Sequence, residues 1–409
     1  MTVIFNDTLG VLGGSQTLML RMAIWLRTHN IMVCVICDSD ANEEIVTELR
    51  KIDVKIEVCA PESFKIIAHI LNQYNDLLVI NFGFDRYLNI ECIKRIYNIQ
   101  FYNIIYDIIP TTFWKGSGFK SSFLISHAKH KYSKIIFRML KNGAIISQEE
   151  TNNKSVCSYF GINLSDYNPK MLRIPMVCNP LANCESIIKD GYSSSIILTA
   201  ARADFPFKGY MIGLIDEFIK LKENVKNAKL KIYSDGGDIE ELRKKITSVS
   251  TALQKDIELC GWISYLELYS ELKKCKMYIG LGSSLMDAAL NYKPSIVASY
   301  NTTKCVTAGT FADNPFCIGT KEEDLPVAST LIENVFNMSF EKYRDLCHKN
   351  FNAVYDNYNI DTIMTELINI KTNYKNCILT FSDRLEHYCN NVLNLIRFRN
   401  KKDKNSCLI

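Results

Sequence analysis

A chain of 409 residues is long for a single hydrophobic core and points to two domains. Hydrophobic residues make up 47% and charged residues 22%, and no stretch approaches the roughly 18 uncharged apolar residues that a membrane-spanning helix needs. A net charge of +4, dispersed along the chain and unaccompanied by any nucleic-acid-binding signature, argues against nucleic acid as a partner.

The first residues, Met1-Thr-Val-Ile-Phe-Asn-Asp7, carry neither a basic n-region nor a small-residue cleavage site, so the cytoplasm is the expected compartment. Thr2-Val-Ile-Phe5 reads as a strand that leads through Gly10 and Gly13-Gly14 into a helix over Thr17 to Leu26. A second strand covers Ile31 to Cys37 and contains Cys34 and Cys37; residues three apart on a strand face opposite sides, which argues against a zinc or redox pair. The fifteen cysteines are odd in number and irregularly spaced, and they read as buried free thiols. Further strands are expected at Asp76 to Asn81, Phe101 to Tyr106 and Gly143 to Ser147, making residues 1–180 one α/β domain. Asn179 to Ser193 contains Pro180, lacks long apolar runs, leads into Gly191-Tyr-Ser-Ser-Ser195 and reads as a linker.

The alternation restarts at Ile196 and predicts strands at Ile196 to Ala201, Ala228 to Tyr233, Ile257 to Cys260, Lys276 to Gly280 and Ser295 to Ala298. This second domain spans 190–360, and 361–409 reads as helical with a basic tail. In open parallel sheets ligands bind beyond the carboxyl ends of strands, so the loops there are the places to look for chemistry.

Those loops hold what a diphosphate requires. Arg202 and Lys208 stand on the loop after Ile196 to Ala201, a forked cation and a point charge together. Ser-Asp-Gly236-Gly237 is a close-approach turn, and Gly261-Trp262-Ile263 suits a flat base. Most informative is Gly280-Leu-Gly282-Ser283-Ser284-Leu285-Met-Asp287, where small residues join a strand to a helix whose first amides are free to meet phosphate oxygens. Asp287 is expected in the first turn of that helix, placed to accept hydrogen bonds from hydroxyl groups. The same residues also fit a plain capping box, with Ser284 at the N-cap and Asp287 at N3.

In order and spacing, Arg202, Lys208-Gly209, Gly236-Gly237, Gly261-Trp262 and Gly280 to Ala288 with Pro294-Ser-Ile-Val297 resemble the donor domain of the family 4 glycosyltransferases of the GT-B fold. Gly13-Gly14-Ser15-Gln16 resembles the family's Gly-Gly loop, which faces the donor phosphates. Gly143 to Ser147, Phe160-Gly161-Ile162 and Arg173-Ile-Pro175 with Asn179 resemble the end of its acceptor domain. The resemblance implies two Rossmann-like α/β domains facing across a cleft, the first on the acceptor side and the second holding the nucleotide sugar, with transfer that retains configuration and needs no metal or other cofactor. It implies catalytic positions at Arg202, Lys208 and Asp107. Donor contacts are implied at Gly13, Gly14, Gly236, Trp262, Ile263, Gly282, Ser283, Ser284, Leu285 and Asp287. Two positions depart from the pattern. Ile279 stands where many members have the first Glu of their Glu-x7-Glu motif, and Tyr106 precedes Asp107 where relatives often show His.

Trp114 to Lys134 interleaves aromatics with Lys115, Lys120, His127, Lys129, His130, Lys131 and Lys134, which suits contact with an acidic acceptor or membrane headgroups and equally fits a solvated helix face. His127 and His130 lack a third ligand nearby, so no metal site is expected there. Leu385, Tyr388, Val392, Leu395 and Ile396 recur at helical spacing ahead of a run of Arg and Lys, as in a GT-B terminal helix that crosses back to the first domain or in a helix on the inner membrane face. The reading is a hexosyltransferase that moves a sugar from a nucleoside diphosphate to a glycan or lipid-linked acceptor, in the setting of bacterial O-antigen or capsule synthesis. Two others stay open: a GT-B pair that binds a nucleotide sugar without transferring it, as partner to another enzyme, and a nucleotide-sugar epimerase, disfavoured because the cleft loops show no acid and base pair.

Overall fold

The computed structural model describes residues 1–10, 13–38, 40–106, 122–163, 170–319, 325–370, 379–380 and 382–384, with side chains other than those of 122–128, 151 and 266. Asp107, Trp114, Lys115, Lys120, the His127 side chain and the stretch from Leu385 through Lys404 therefore lie outside the described residues. The chain divides into two compact units, Met1–Pro175 with Ile360–Ile409, and Met176–Asn359.

The first unit is built on seven parallel strands, β1 (Thr2–Asn6), β2 (Met32–Cys37), β3 (Lys55–Val58), β4 (Leu77–Asn81), β5 (Tyr102–Tyr106), β6 (Ile145–Ser147) and β7 (Lys170–Met171), in the order β3-β2-β1-β4-β5-β6-β7. The central strands are continuous apolar runs, as a parallel sheet covered on both faces demands, and Val3, Ile4, Phe5, Val79 and Ile80 are fully buried. β3 is the edge strand and alternates charged with apolar residues, so its run is too polar to announce itself. Helix Ile360–Asn369 packs on helix Gly14–Thr28, where the Trp25 indole donates to Asp361 Oδ1 at 2.6 Å. The described cysteines are all free, and burial pushes the Cys34 and Cys37 thiols up to about 11, far from reactive thiolates.

The second unit holds β8 (Ile196–Ala200), β9 (Lys229–Tyr233), β10 (Ile257–Gly261), β11 (Met277–Gly280), β12 (Ser295–Ala298) and β13 (Thr307–Thr310), ordered β10-β9-β8-β11-β12-β13 and parallel apart from the last pair. The linker expected over 179–193 is corrected here, because Cys184–Ser193 is a helix with Ile187, Ile188 and Gly191 buried. Gly191 is a packing residue and not a loop signal: a Cβ on it would lie 2.5 Å from Lys293 Nζ and 2.8 Å from the Tyr343 hydroxyl. Lys293 itself is fully buried, donates to the carbonyls of Ile187 and Lys273 at 3.0 Å each, and has its pKa drawn down by burial. Among the described residues no helix is long and apolar enough to cross a membrane.

Helix Tyr210–Asn224 lies close against the chain at 302–305, and glycines make that approach possible. A Cβ at Gly213 would sit 2.3 Å from the Cys305 amide nitrogen, so Gly213→Ala is expected to destabilise the fold by about 1–3 kcal/mol. Gly237→Ala, with nothing within 4 Å of its Cβ, should leave the denaturant midpoint close to wild type; equal midpoints for both variants would refute the packing described.

Candidate functional site

The order of the second sheet reverses between β8 and β11, so the connections leaving those strands diverge and open a crevice at their carboxyl ends. The loop after β8 carries Arg202 and Lys208. Leu281 and Gly282 follow β11 and lead into helix Ser283–Leu290.

Tyr278 joins the two. Its buried hydroxyl accepts from the Ala200 amide at 3.2 Å, lies 2.9 Å from the Ala200 carbonyl and 2.7 Å from Ser284 Oγ. Ser284 Oγ is also 3.2 Å from the Leu281 carbonyl, so this hydroxyl is already engaged in holding the turn. Room for the tyrosine comes from Gly280: a Cβ there would meet the ring at 2.6 Å. Gly280 is therefore a packing residue of the turn. Gly282 does leave open space, at φ 64°, a conformation that favours glycine.

The capping-box reading is overturned. Gly282 is the N-cap, Ser283 the first helical residue, and among the described residues no side chain caps the helix. Asp287 is consequently not in the first turn but the fifth helical residue. It is 2% exposed, and its Oδ1 accepts from the Tyr265 hydroxyl at 3.1 Å with the Tyr269 hydroxyl 3.5 Å away. Ser283 is half-exposed with no hydrogen bond of its own among the described residues, the right state for a phosphate ligand. Leu285 is fully buried, leaving only its main chain to serve a ligand.

Arg202 Nη2 stands 3.4 Å from Asp204 Oδ1, an exposed pair. Lys208 is half-buried, its ammonium 5.5 Å from the centre of the Phe207 ring, with no hydrogen bond or ion pair among the described residues. Burial draws its pKa down, opposed by the charge of Asp204. The loop bearing these cations is fixed by its neighbour: Ala203 donates to the Asp235 carbonyl, Asp238 N donates to the Ala203 carbonyl at 3.0 Å, and Phe205 N donates to Asp238 Oδ2 at 2.6 Å. Gly236 sits in this junction at φ 110°, where a Cβ would lie 3.1 Å from both Ala203 N and O. Its place is to let the two loops touch, and with them to set the position of Arg202. On the loop after β10, Trp262 is 48% exposed and Ile263 half-buried. Among the described residues no group of three or more His, Cys, Asp or Glu could hold a metal ion.

In the first unit Gly13 is the N-cap of helix Gly14–Thr28, its amide donating to Gln16 Oε1 at 3.1 Å, while Gln16 Nε2 donates to Asp7 Oδ2 at 3.0 Å. Asp7 is buried, which raises its pKa against the opposing pull of the Thr8 amide, Arg86 and Gln16. Gly14 has open space where a side chain would be. Tyr106 does not present its hydroxyl to a ligand. It is 2% exposed and donates to the carbonyl of Arg173 at 2.8 Å, with that of Leu172 at 3.2 Å, tying β5 to the segment after β7. The sequence reading missed Tyr278, Tyr265, Tyr269 and Asp7. Only the tyrosine pair had a local signal, its i, i+4 spacing on a helix that starts three residues after Trp262.

No protein-family model matches the chain, and no curated protein matches it in sequence. Among solved structures it is similar to a glycosyltransferase from Rickettsia africae, with a TM-score of 0.65 and 15% identity over 90% of this chain and 97% of that one. It is also similar to Anabaena HepE in complex with UDP and glucose, with a TM-score of 0.62 and 15% identity over 90% of this chain and 98% of that one. A third similar structure is an S. aureus TarM mutant in complex with Fondaparinux, alpha-GlcNAc-glycerol and UDP, with a TM-score of 0.59 and 12% identity over 91% of this chain and all of that one, 100%. Likeness at this level of identity is a likeness of fold, and with two parallel-rich sheets of Rossmann order it gives the chain the two-domain GT-B fold.

Tyr278→Phe should cost about 1–3 kcal/mol, because the Ala200 amide loses its buried acceptor. Gly280→Ala should disturb the same junction through the ring it displaces. Urea unfolding checks both, and wild-type stability in Tyr278→Phe would mean that the junction is not what holds these loops.

Proposed function

We propose that the protein is a glycosyltransferase that moves a sugar from a nucleoside diphosphate onto a glycan or lipid-linked acceptor, retaining anomeric configuration and using no metal. The observation that carries this reading is the half-buried ammonium of Lys208, without a hydrogen bond or ion pair among the described residues, on the loop after β8 that also bears Arg202, at the switch point from which helix Ser283–Leu290 starts with no side-chain cap among the described residues. Arg202 and Lys208 neutralise the diphosphate as it departs, which is electrostatic stabilisation of developing charge. Ser283 and the first amides of helix Ser283–Leu290 take phosphate oxygens, Trp262 and Ile263 flank the base, and Asp287 receives the ribose. The resemblance to family 4 supports retention, in the variant without the first Glu of Glu-x7-Glu, since Ile279 is fully buried within β11. UDP sugars are the first donors to test, because HepE and TarM were solved with UDP. Surface-polysaccharide assembly at the inner face of a bacterial membrane is the setting we favour, with Lys129, Lys131 and Lys134 of helix Ser122–Lys141 as the basic contact.

One finding favours the second reading, a nucleotide-sugar-binding partner without transferase activity: Tyr106, standing where relatives often have His, is committed to main-chain carbonyls. Turnover of a UDP sugar to free UDP with a glycan acceptor separates the readings, and saturable binding without turnover would select the second. For the first reading, Arg202→Ala and Lys208→Ala each reduce turnover at least tenfold with the fold intact, and a chelator leaves the rate unchanged. Wild-type rates in both variants would sink the assignment.

A dependence on pH follows from Lys208. Its folded pKa lies below 10.5, so between the lowered value and 10.5 the unfolded chain holds a proton that the folded one has lost, and its contribution to stability rises with pH through that window. Diphosphate binding has the opposite sign, because it recruits the ammonium form. Affinity for UDP should fall as pH rises through the lowered pKa, and Lys208→Ala should abolish that fall; calorimetric titration across alkaline pH reads it directly.

A further inference from the structure

Asp287 is 2% exposed, so a ribose can reach its carboxylate only by displacing a neighbour. The hydroxyls of Tyr265 and Tyr269 stand 3.4 Å apart, and both face Asp287 Oδ1, at 3.1 and 3.5 Å. Two adjacent hydroxyls turned to one carboxylate repeat the donor pattern of the 2′,3′-diol of a ribonucleoside. The two side chains differ in freedom: Tyr265 is 36% exposed and has a path into solvent, whereas Tyr269 is more enclosed.

The helix that bears them, Tyr265–Lys274, is fixed at both ends. Ser264 and Glu267 form a capping box at its start, and Glu271 meets Lys231 of β9 at 2.6 Å and Lys274 at 2.7 Å near its end. Any opening at Asp287 is therefore a rotation of a tyrosine side chain and not a movement of the helix. We propose that Tyr265 is a ribose gate: its hydroxyl occupies the ribose position on Asp287, and it swings out when a ribonucleoside diphosphate binds. This rests on the donor-pocket reading above and adds to it a residue that competes with the ligand, setting both affinity and the preference for ribose over its deoxy forms.

The test is calorimetric titration of wild type and Tyr265→Phe with UDP, its 2′,3′-dideoxy analogue and inorganic pyrophosphate. Phenylalanine keeps the ring and loses the competing donor. UDP should bind the variant about three- to tenfold more tightly, the worth of one exchanged hydrogen bond, while the dideoxy analogue and pyrophosphate bind both proteins alike. The ligand-free variant should also melt at a lower temperature, showing that the contact with Asp287 stabilises the closed state. If wild type binds UDP and Tyr265→Phe binds it equally or more weakly, the gate is overturned and the donor pocket stands. If wild type binds none of the three, the donor-pocket reading fails and takes the gate with it.

Discussion

The hydroxyl of Tyr278 is the constraint on which the second unit's crevice depends. A parallel sheet places β8 and β11 side by side, but their outgoing loops diverge, and nothing in the strand ladder fixes one loop against the other. Tyr278 supplies that connection through Ala200 at the end of β8 and Ser284 in the first turn of helix Ser283–Leu290. Tyr278 is buried at 0% exposure and Ala200 at 9%, so their hydrogen bonds form in a low-dielectric interior, where breaking one is costly. Gly280 makes space for the ring, and the contacts of Ala203 with Asp235 and Asp238 add the loop after β9. The backbone around Arg202 and the first turn of helix Ser283–Leu290 are thus held by short-range bonds, which would preorganise the diphosphate site proposed for them.

The first unit solves the same problem with amides. At its own switch point Asn6 of β1 donates to Asn81 of β4 at 2.8 Å, and Asn81 donates to Asn103 of β5 at 2.7 Å. Arg86 bonds Asn6 at 2.9 Å and pairs with Asp38 just beyond β2. This polar row crosses four neighbouring strands, at the carboxyl ends of β2, β1 and β4 and at the second residue of β5, where an apolar core would leave the strand order less specified. In both units a buried polar junction stands where the sheet changes direction, and it joins elements distant in sequence. Such networks specify one arrangement because a half-satisfied alternative is penalised.

Much of the fold was legible because its central strands are apolar runs bounded by loops. Val3 to Phe5, Val33 to Ile36 and Ile197 to Ala200 are buried on both faces, and that signal survives in one sequence. β3 was missed because an edge strand needs only half its residues apolar, and the helix Cys184–Ser193 because Gly191 and the serines after it look like a turn. The position of a loop was readable and the use of its residues was not. Gly280 admits a tyrosine, Gly236 admits a neighbouring loop, and Ser284 bonds a side chain six residues away. Asp287 was recognised as an acceptor of hydroxyl groups, but that two tyrosines already face it follows only from packing. Spacing within one segment reveals what a turn can do, and contacts between segments decide which of those things it does.

A crystal structure of the protein grown with UDP would test the central claim most directly. The diphosphate should lie within hydrogen-bond reach of Lys208 Nζ, of Ser283 Oγ and of the first amides of helix Ser283–Leu290, with Arg202 drawn toward it from Asp204. A diphosphate bound elsewhere, with Lys208 still resting on Phe207 and Ser283 unengaged, would contradict it.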